Sequence, residues 1–406
     1  ELKYYDPLLA EHIFWETHPD DGSFEARKSA DTWAVASKDK RPYEKGTNPR
    51  LHSDKFTGYG FVLRKNYGEK DEMYVNLQQI DDGPNYRWGR AGKGGNGIIY
   101  YYANGKRYSH NGTEDVGDGP FGDVERATNF GVRKEGIYRG LGNYRSVGRN
   151  DLTEPLFDFG FAQFASILAN EEVRSHYNSR SVLMADNDYI VVFDDVASSE
   201  VEGCFSWFVG VNDEFPFIKQ LAPGCKGTKV DVVHSSSPYH KDKSTPETKG
   251  MKFEGKGDFL TFVSHRLDLN VQYNDSVCLV NHPGGQKDWV FRSGSPILYN
   301  KNGVKFDGTS GFIRKKSKEH YQAALFNGKQ ISVPGITIML DDKYYNNGVS
   351  LEVVDNKYRG KIQLIQPVLL KMVLDEELDA SYVFYLNGRA DGVIHQEDIW
   401  IIDEIK

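Results

Sequence analysis

Residues 97–106, Gly97-Ile-Ile-Tyr-Tyr-Tyr-Ala-Asn-Gly-Lys106, decide the fold class of this chain. β-Branched and aromatic residues such as Ile99 and Tyr101 favour strands. Asn104-Gly105 supplies the two positive-φ positions of a type I′ turn, which joins neighbouring antiparallel strands. The segment therefore predicts a β-hairpin.

A second hairpin is expected where residues 186–188, Asp-Asn-Asp, separate two apolar runs, Ser181–Ala185 and Tyr189–Asp194. Similar runs, bounded by Gly, Asp and Asn, occur along most of the chain. They are Phe61–Arg64, Met73–Leu77, Cys204–Gly210, Lys229–Val233, Phe259–Ser264, Ser276–Val280, Gln322–Phe326, Gly335–Leu340, Ser350–Val354, Lys361–Ile365 and Ser381–Leu386.

One segment departs from this pattern. Phe161, Phe164, Ile167 and Leu168 recur at helical spacing between Phe157 and Tyr177. We expect one helix over 157–177 in a chain that is otherwise made of strands.

The length of 406 residues exceeds the usual size of a single core, so we expect two β domains. Its 41 glycines and 15 prolines indicate many turns. Residues 1–50 are polar and are interpreted as a lead-in segment or linker. The larger β domain then covers 51–300 and the smaller one 301–406, with the boundary in the turn-rich stretch 294–311.

Charge and hydropathy exclude two classes of partner. A net charge of −8 argues against a general affinity for polyanions, nucleic acid included, because binding of phosphate or sulfate normally requires a basic surface. A local Arg-rich cleft stays open. No run of 18 apolar residues is present, which argues against a membrane span. Because the chain opens at Glu1 without Met or a signal peptide, we expect a mature or truncated piece.

The cysteines exclude two kinds of stabilised small fold. Cys204, Cys225 and Cys278 have no CxxC spacing, so they predict neither a zinc ribbon nor a disulfide framework. If one bridge forms, Cys204 with Cys225 is the expected pair.

The segment 81–90 contains the favoured substrate contacts. Tyr86 and Trp88 flank Arg87, whose guanidinium can hold a carboxylate through two hydrogen bonds. Further on, Tyr, Asn and Arg again alternate with Gly around Arg126-Ala-Thr-Asn129 and within 138–145. Such side chains can neutralise a uronate and donate a proton, although a structural turn is the alternative for each segment.

Gly92-Lys-Gly-Gly-Asn-Gly97 has the spacing of a dinucleotide-binding loop, but a strand follows it where that loop requires a helix. Glycines also let a ligand approach the backbone and leave amide hydrogens free to bind carboxylate or sulfate. Simple turn formation is the other interpretation. The carboxylates of Glu114–Asp123 lack the spacing of a calcium loop and favour a solvated turn.

Taken in order, these motifs resemble a known family. The Gly-rich loop, the Tyr102-Ala-Asn-Gly-Lys106 hairpin, Thr128-Asn-Phe130, and the pair Arg180–Leu183 with Tyr189–Asp194 resemble the β domain of heparinase II/III-like polysaccharide lyases. The resemblance covers about residues 52–200, and more weakly the last hundred residues.

The resemblance implies a mainly β fold, with a large antiparallel β-supersandwich followed by a smaller β-sandwich and little helix. Family members usually carry an α/α toroid before these domains, and the substrate lies in the cleft between them. This chain has no stretch of that kind, so an N-terminal toroid is expected from the same precursor. Secreted or periplasmic localisation is also implied.

The implied chemistry is β-elimination on an acidic polysaccharide. The uronate carboxylate is neutralised, a base takes the C5 proton, and an acid protonates the leaving O4. By position we predict three catalytic residues, which are Asn96, Arg126 and Asn129. The predicted substrate contacts are Tyr86, Arg87, Trp88, Tyr138, Arg139, Tyr144 and Arg145.

No cofactor is expected to be required. Many family members hold zinc through histidines in the β domain, but Gly94–Gly97 and Thr128-Asn129 stand at those places here. The zinc motif is therefore not matched, although the residues leave room for a structural metal.

Ulvan, or another sulfated uronic-acid polymer, is the expected substrate. Two alternatives stay open. One is a carbohydrate-binding β-sandwich module without catalysis. The other is a glycoside hydrolase that uses two carboxylates.

Overall fold

The computed structural model describes fourteen ranges of the chain. They are residues 52–56, 60–79, 96–111, 127–141, 155–171, 173–233, 248–274, 276–340, 347–354, 357–363, 370–374, 382–386, 394–396 and 399–402. In these ranges the helical content is a single 3-10 turn, Pro283–Gly285. Nothing helical there has the length and hydropathy needed to span a bilayer.

The remaining elements are strands. Those up to residue 233 are β1 Asp54–Phe56, β2 Gly60–Lys65, β3 Met73–Gln78, β4 Ile99–Ala103, β5 Lys106–Arg107, β6 Asn129–Lys134, β7 Ile137–Arg139, β8 Phe157–Asp158, β9 Ala162–Leu168, β10 Tyr177–Ala185, β11 Tyr189–Val196, β12 Glu202–Gly210, β13 Phe217–Gln220 and β14 Lys226–Val233. Those that follow are β15 Thr248–Lys256, β16 Phe259–Ser264, β17 Asn270–Asn274, β18 Val277–Asn281, β19 Lys287–Lys301, β20 Val304–Lys315, β21 Tyr321–Val333, β22 Ile336–Leu340, β23 Gly348–Val354, β24 Lys357–Gln363, β25 Leu370–Leu374, β26 Tyr382–Leu386, β27 Ile394–Gln396 and β28 Ile399–Ile402.

The strands form four sheets. The first has the order β1-β2-β3-β4-β5, the second β13-β16-β11-β10-β9-β8 and the third β14-β15-β12-β6-β7. The fourth runs β17-β18-β19-β20-β21-β22-β25-β28-β27 and branches at β21 to β23, β24 and β26. Among the described pairings all are antiparallel except β24 with β26.

The second sheet is the middle layer of the fold. Successive side chains of a strand point to opposite faces, and in β10 and β11 both faces are apolar. Val182 and Val192 pack into a core shared with the first and third sheets. Leu183 and Val191 pack into a core shared with the fourth sheet. The prediction of a mainly antiparallel β chain with little helix is confirmed.

The helix predicted over 157–177 is wrong. This segment forms β8 and β9, and β9 pairs with β10 from Ala162↔Ala185 to Leu168↔Ser179. A strand buried on both faces is a continuous apolar run, which hydrophobic periodicity does not distinguish from one face of a helix. Phe164 and Ile167 therefore lie on opposite faces of a strand.

Both predicted hairpins are confirmed. Asn104 has φ 50° and Gly105 has φ 77°, as a type I′ turn requires, and Ala103 pairs with Lys106. β10 pairs with β11 from Ala185↔Tyr189 onward. The turn between them begins at Asp186, whose φ is 49°.

The expected bridge between Cys204 and Cys225 is absent, because all three cysteines are free thiols. Cys204 lies on β12 and Cys225 immediately precedes β14, and β15 separates these two strands. Two strand spacings amount to roughly 10 Å, beyond the range of about 7 Å over which a disulfide can join two Cα atoms.

The division into domains stays a prediction. The predicted boundary, residue 300, lies within β19, and β19 pairs with β20 from Lys287↔Lys315 to Lys301↔Val304.

Candidate functional site

Two of the predicted catalytic residues lie next to each other in a buried polar cluster. Asn129 Nδ2 donates to the main-chain oxygen of Asn96 over 3.2 Å. Arg180 Nη1 donates to Asn129 Oδ1 over 2.7 Å and to the main-chain oxygen of Gly97 over 2.9 Å. The guanidinium therefore fixes the start of β6 against Gly97, two residues before β4.

Arg180 is held from its other side by Asp194. The two residues are directly opposite on β10 and β11, and Arg180 Nε lies 3.4 Å from Asp194 Oδ1 with both side chains fully buried. Tyr177 Oη donates to the same carboxylate over 2.5 Å. Burial raises the pKa of Asp194 to about 6, although Arg180 and the Tyr177 hydrogen bond act to lower it.

Three ends of the described chain meet at this cluster. A Cβ added to Gly140 would lie 3.7 Å from both Asn129 Nδ2 and the Asn96 oxygen. A Cβ added to Gly97 would lie 2.9 Å from Asn129 Oδ1 and 3.0 Å from Leu141 Cδ1. Gly97, Asn129 and Leu141, which are far apart in sequence, are therefore brought together at this cluster.

The predicted catalytic residues differ in what the structure says of them. Asn96 is 0% exposed and Asn129 is 1% exposed, so neither amide faces solvent. Arg126 lies outside the described residues. Of the predicted substrate contacts, five also lie outside them, namely Tyr86, Arg87, Trp88, Tyr144 and Arg145.

The two remaining predicted contacts, Tyr138 and Arg139, lie on β7, the edge strand of the third sheet. Arg139 is exposed and immediately precedes Gly140. Tyr138 is half-buried and its Oη donates to Glu254 Oε1 over 2.9 Å. Burial and the Glu254 carboxylate raise the Tyr138 pKa above its ordinary value, so the phenol stays protonated at neutral pH.

A tyrosine–histidine pair is formed by Tyr101 on β4 and His265, the residue after β16. Tyr101 Oη and His265 Nδ1 are 2.7 Å apart, and the His265 amide donates to the same hydroxyl over 3.1 Å. Burial lowers the pKa of His265 to about 4, so the imidazole is neutral at neutral pH. The pair joins β4 to the end of β16, and Tyr101, which is 2% exposed, is closed to a polymer.

No group of three or more His, Cys, Asp or Glu side chains in the described ranges is arranged to hold a metal ion. The donors that the structure does bring together are amides, guanidinium groups and phenols. These bind oxyanions and sugar hydroxyls in preference to cations.

A cavity of about 420 Å³ lies between the first sheet, the turn from β8 to β9, and β24. Three cationic side chains line it, which are Arg64, Lys65 and Lys361. The other lining residues are His52, Asn66, Tyr67, Glu69, Asp158, Gly160 and Gln163. Cations, carboxylates, amides and a tyrosine together provide both donors and acceptors for a polar ligand.

Sequence reasoning missed both Arg180 and the cavity. A signal for Arg180 exists, because extending the predicted hairpin by one pair from Ser181 places Arg180 opposite Asp194. The cavity has no such signal, since Arg64 and Lys361 are brought together only by the packing of two sheets.

No protein-family model and no curated protein sequence matches the chain. Among solved structures, heparan sulfate lyase HepC from Pedobacter heparinus is similar over 70% of this chain, with a TM-score of 0.44 and 12% identity. A heparinase III gene product is similar over 77%, with a TM-score of 0.41 and 15% identity. Another heparinase III structure is similar over 68%, with a TM-score of 0.42 and 11% identity. The chain spans about half the length of these proteins, 48%, 46% and 43%.

Proposed function

We propose that this chain is the β portion of a polysaccharide lyase that cleaves a uronic-acid-containing polysaccharide by β-elimination. One observation carries the proposal, namely the convergence of three chain ends at Asn96, Asn129 and Leu141. Two of the three predicted catalytic residues, Asn96 and Asn129, lie there, and the predicted substrate contact Arg139 is the neighbour of Gly140 beside them. Residues widely separated in sequence can thus serve one site.

The buried cluster has a positioning role in this proposal. Arg180 and Asp194 hold Asn129 and the backbone at Gly97, and their burial keeps water from loosening that arrangement. The reacting uronate requires an Arg or Asn to neutralise its carboxylate, and a base and an acid for the C5 proton and O4. Arg126 and Arg139 are the cations proposed for the carboxylate, and Tyr138 is a phenol that can donate a proton.

A carbohydrate-binding module without catalysis is the second candidate. The burial of Asn96 and Asn129 favours it, because a sealed amide does not touch a substrate. In that case the cluster is only a structural support, and the exposed Arg139 and neighbouring segments bind the polymer.

Ulvan stays the proposed substrate, and a toroid from the same precursor the proposed partner domain. We also propose that the reaction proceeds without a metal or organic cofactor and takes place outside the cytoplasm. The toroid and the location follow from the resemblance. The acidic substrate and the reaction without a metal follow from the resemblance and from the side chains, which bind oxyanions.

The test uses purified chain, alone and as part of a precursor that carries the proposed toroid. Each is incubated with ulvan, alginate, heparan sulfate and a neutral glucan, with and without a chelator. The ultraviolet absorbance of unsaturated uronate reports elimination, and affinity electrophoresis on the same polymers reports binding.

The proposal expects unsaturated product from at least one uronate polymer, none from the neutral glucan, and no effect of the chelator. Binding by both proteins without any product would support the binding module and overturn the lyase. Shortened polymer without ultraviolet absorbance would instead indicate hydrolysis.

A further inference from the structure

We infer that the cavity beside Arg64 is a second binding site, which takes one oxyanion, a carboxylate or a sulfate, carried by an acidic sugar. The inference rests on the proposed acidic-polysaccharide partner but does not require elimination. It concerns a place different from the Asn129 cluster. Lys65 Nζ lies 2.9 Å from Asp186 Oδ1, at the far end of β10 from Arg180. Six residues of strand separate the two places by roughly 20 Å.

The Arg64 guanidinium lies over two aromatic rings. Its Cζ lies 4.4 Å from the ring centroid of Tyr67 and 5.2 Å from that of Tyr74. These cation–π contacts restrict the position of the charge without using its N–H donors. Glu72 Oε1 is 3.7 Å from Nε, too far for a hydrogen bond.

The hydrogen-bonding capacity of this guanidinium is not used within the described part of the chain. Nε is sealed from solvent beside the Glu72 carboxylate, and neither Nη1 nor Nη2 donates to an acceptor among the described residues, so the two Nη groups are the donors proposed for a ligand. The backbone of Arg64, in contrast, is fully engaged. Its amide donates to Ser53 Oγ over 2.8 Å and to Gln163 Oε1 over 3.2 Å. Its carbonyl accepts from Ser53 Oγ over 3.2 Å and from Gln163 Nε2 over 2.8 Å. A rigidly placed arginine with a free donor edge in a cavity is suited to a planar or tetrahedral oxyanion.

A second cation is available in the same cavity. Lys361 is exposed, and its Nζ donates to the main-chain oxygen of Asp158 over 3.2 Å, which leaves two of its three hydrogens for a ligand. Lys65 is already paired with Asp186 and donates to the Gly160 oxygen over 3.0 Å. Arg64 and Lys361 are therefore the residues proposed to bind the anion, and Lys65 holds the wall.

The uncharged part of the ligand is also accounted for. Tyr67 lines the cavity with a ring that can contact a sugar face. Asn66 Nδ2 is bonded to Asp71 Oδ2 over 2.8 Å, which orients the turn that carries Tyr67. The exposed carboxylate of Glu69 at the rim can accept from sugar hydroxyls, which favours a sugar over a bare inorganic anion.

The experiment is calorimetric titration of the full chain with three probes. They are an unsulfated glucuronate-containing tetrasaccharide, the same tetrasaccharide with its carboxyls reduced to alcohols, and a sulfated neutral tetrasaccharide. The variants are Arg64→Gln, Arg64→Lys and Lys361→Gln. Lys305→Gln is the matched control, because Lys305 is exposed on β20 and does not line the cavity.

The inference expects the native chain to bind at least one charged probe more tightly than the reduced one. Arg64→Gln should weaken that binding about tenfold or more, as expected for loss of a charge-assisted hydrogen bond. Lys361→Gln should weaken it by a smaller factor, and Lys305→Gln should leave it unchanged. Whichever charged probe responds to Arg64→Gln identifies the anion as carboxylate or sulfate.

Unchanged binding by folded Arg64→Gln and Lys361→Gln would overturn the inference. If Arg64→Gln does not fold, Arg64→Lys and Lys361→Gln replace it in the binding test. Arg64→Lys keeps the positive charge, and Lys361→Gln changes an exposed side chain. If no lyase activity is found but binding depends on Arg64, the proposed function is wrong and the second binding site is supported. If lyase activity is found but oligosaccharide binding does not depend on Arg64, the proposed function is supported and the second site is wrong.

Discussion

Asp288 and Arg314 face each other on neighbouring strands of the fourth sheet and are joined by two hydrogen bonds of 2.9 and 2.8 Å with both side chains buried. His282 and Tyr189 each approach Asp288 Oδ2 within 2.8 Å. Arg314 also reaches Asp188 over 2.8 Å. The pair thus links the β10–β11 turn of the middle layer to the fourth sheet.

We predict that Arg314→Ala lowers the free energy of unfolding by about 3 to 5 kcal/mol, because it leaves Asp288 buried without its main partner. Urea denaturation followed by circular dichroism measures the change. The control is Lys256→Ala, which removes an exposed ion pair with Glu200 and should cost far less, because solvent screens such a pair. Equal losses in the two variants would show that the buried pair contributes no more than a surface pair.

The turn glycines predict a second outcome. Gly97 and Gly105 both have positive φ, 88° and 77°, so Ala at either position carries backbone strain of about 1 to 2 kcal/mol. At Gly105 the nearest atom to an added Cβ is 3.9 Å away, whereas at Gly97 Asn129 Oδ1 is 2.9 Å away. Gly97→Ala should therefore destabilise the chain more than Gly105→Ala, and it alone should impair uronate binding or cleavage. Thermal melts and binding titrations of both variants decide this, and indistinguishable variants would contradict the cluster's positioning role.

The acidity of Asp258 predicts a pH dependence of stability. Burial, with the nearby Asp195 carboxylate, raises the Asp258 pKa to about 6 against its hydrogen bond from the Val196 amide and the Arg292 charge. The folded state then binds the proton more tightly than the unfolded state, so the Asp258 contribution to stability falls as pH rises from about 4 to about 6.

Asp258→Asn should remove this decline. Its melting temperature relative to native protein should rise between about pH 4 and about pH 8. Asp231→Asn, which removes an exposed carboxylate of β14, is the control for the loss of one negative charge. A relative melting temperature of Asp258→Asn that falls with pH would show that the folded-state pKa is lowered instead.

The Tyr101 hydroxyl predicts a modest and local effect. Tyr101→Phe removes both hydrogen bonds to His265, one with Nδ1 and one from the backbone amide, and should cost about 1 to 3 kcal/mol, with no change in polysaccharide cleavage. A large loss of cleavage at unchanged stability would assign Tyr101 a part in the reaction.

The sequence was sufficient for those strands whose turns have distinctive chemistry. Asn104-Gly105 defines its hairpin because few residues tolerate two positive φ angles in succession. The same kind of argument placed the turn at Asp186 and, extended by one pair, would have found the contact between Arg180 and Asp194.

The sequence was misleading where a strand is buried on both faces. In β9, Phe164 packs toward the fourth sheet and Ile167 toward the first, so the apolar pattern carries no alternation. Burial of both faces of β9 results from the packing of whole sheets on either side. It therefore cannot be predicted from segment 157–177 alone.

The candidate sites divide in the same way. Asn96 and Asn129 were singled out from local composition, and the structure places them together. It also shows them to be buried, which composition does not reveal. The cavity depends on Lys361 approaching the turn after β8, where it donates to the Asp158 oxygen over 3.2 Å. A contact across some 200 residues of chain has no local signature.

Product mass distinguishes elimination on a uronate polymer from hydrolysis and from binding alone. A defined uronate oligosaccharide is treated with the toroid-bearing precursor, and the fragments are weighed by mass spectrometry. Elimination adds no water, so we expect fragments whose masses sum to that of the substrate, with an unsaturated uronate at one new end. Fragments that together exceed the substrate by one water, or an oligosaccharide that is bound and recovered intact, would contradict it.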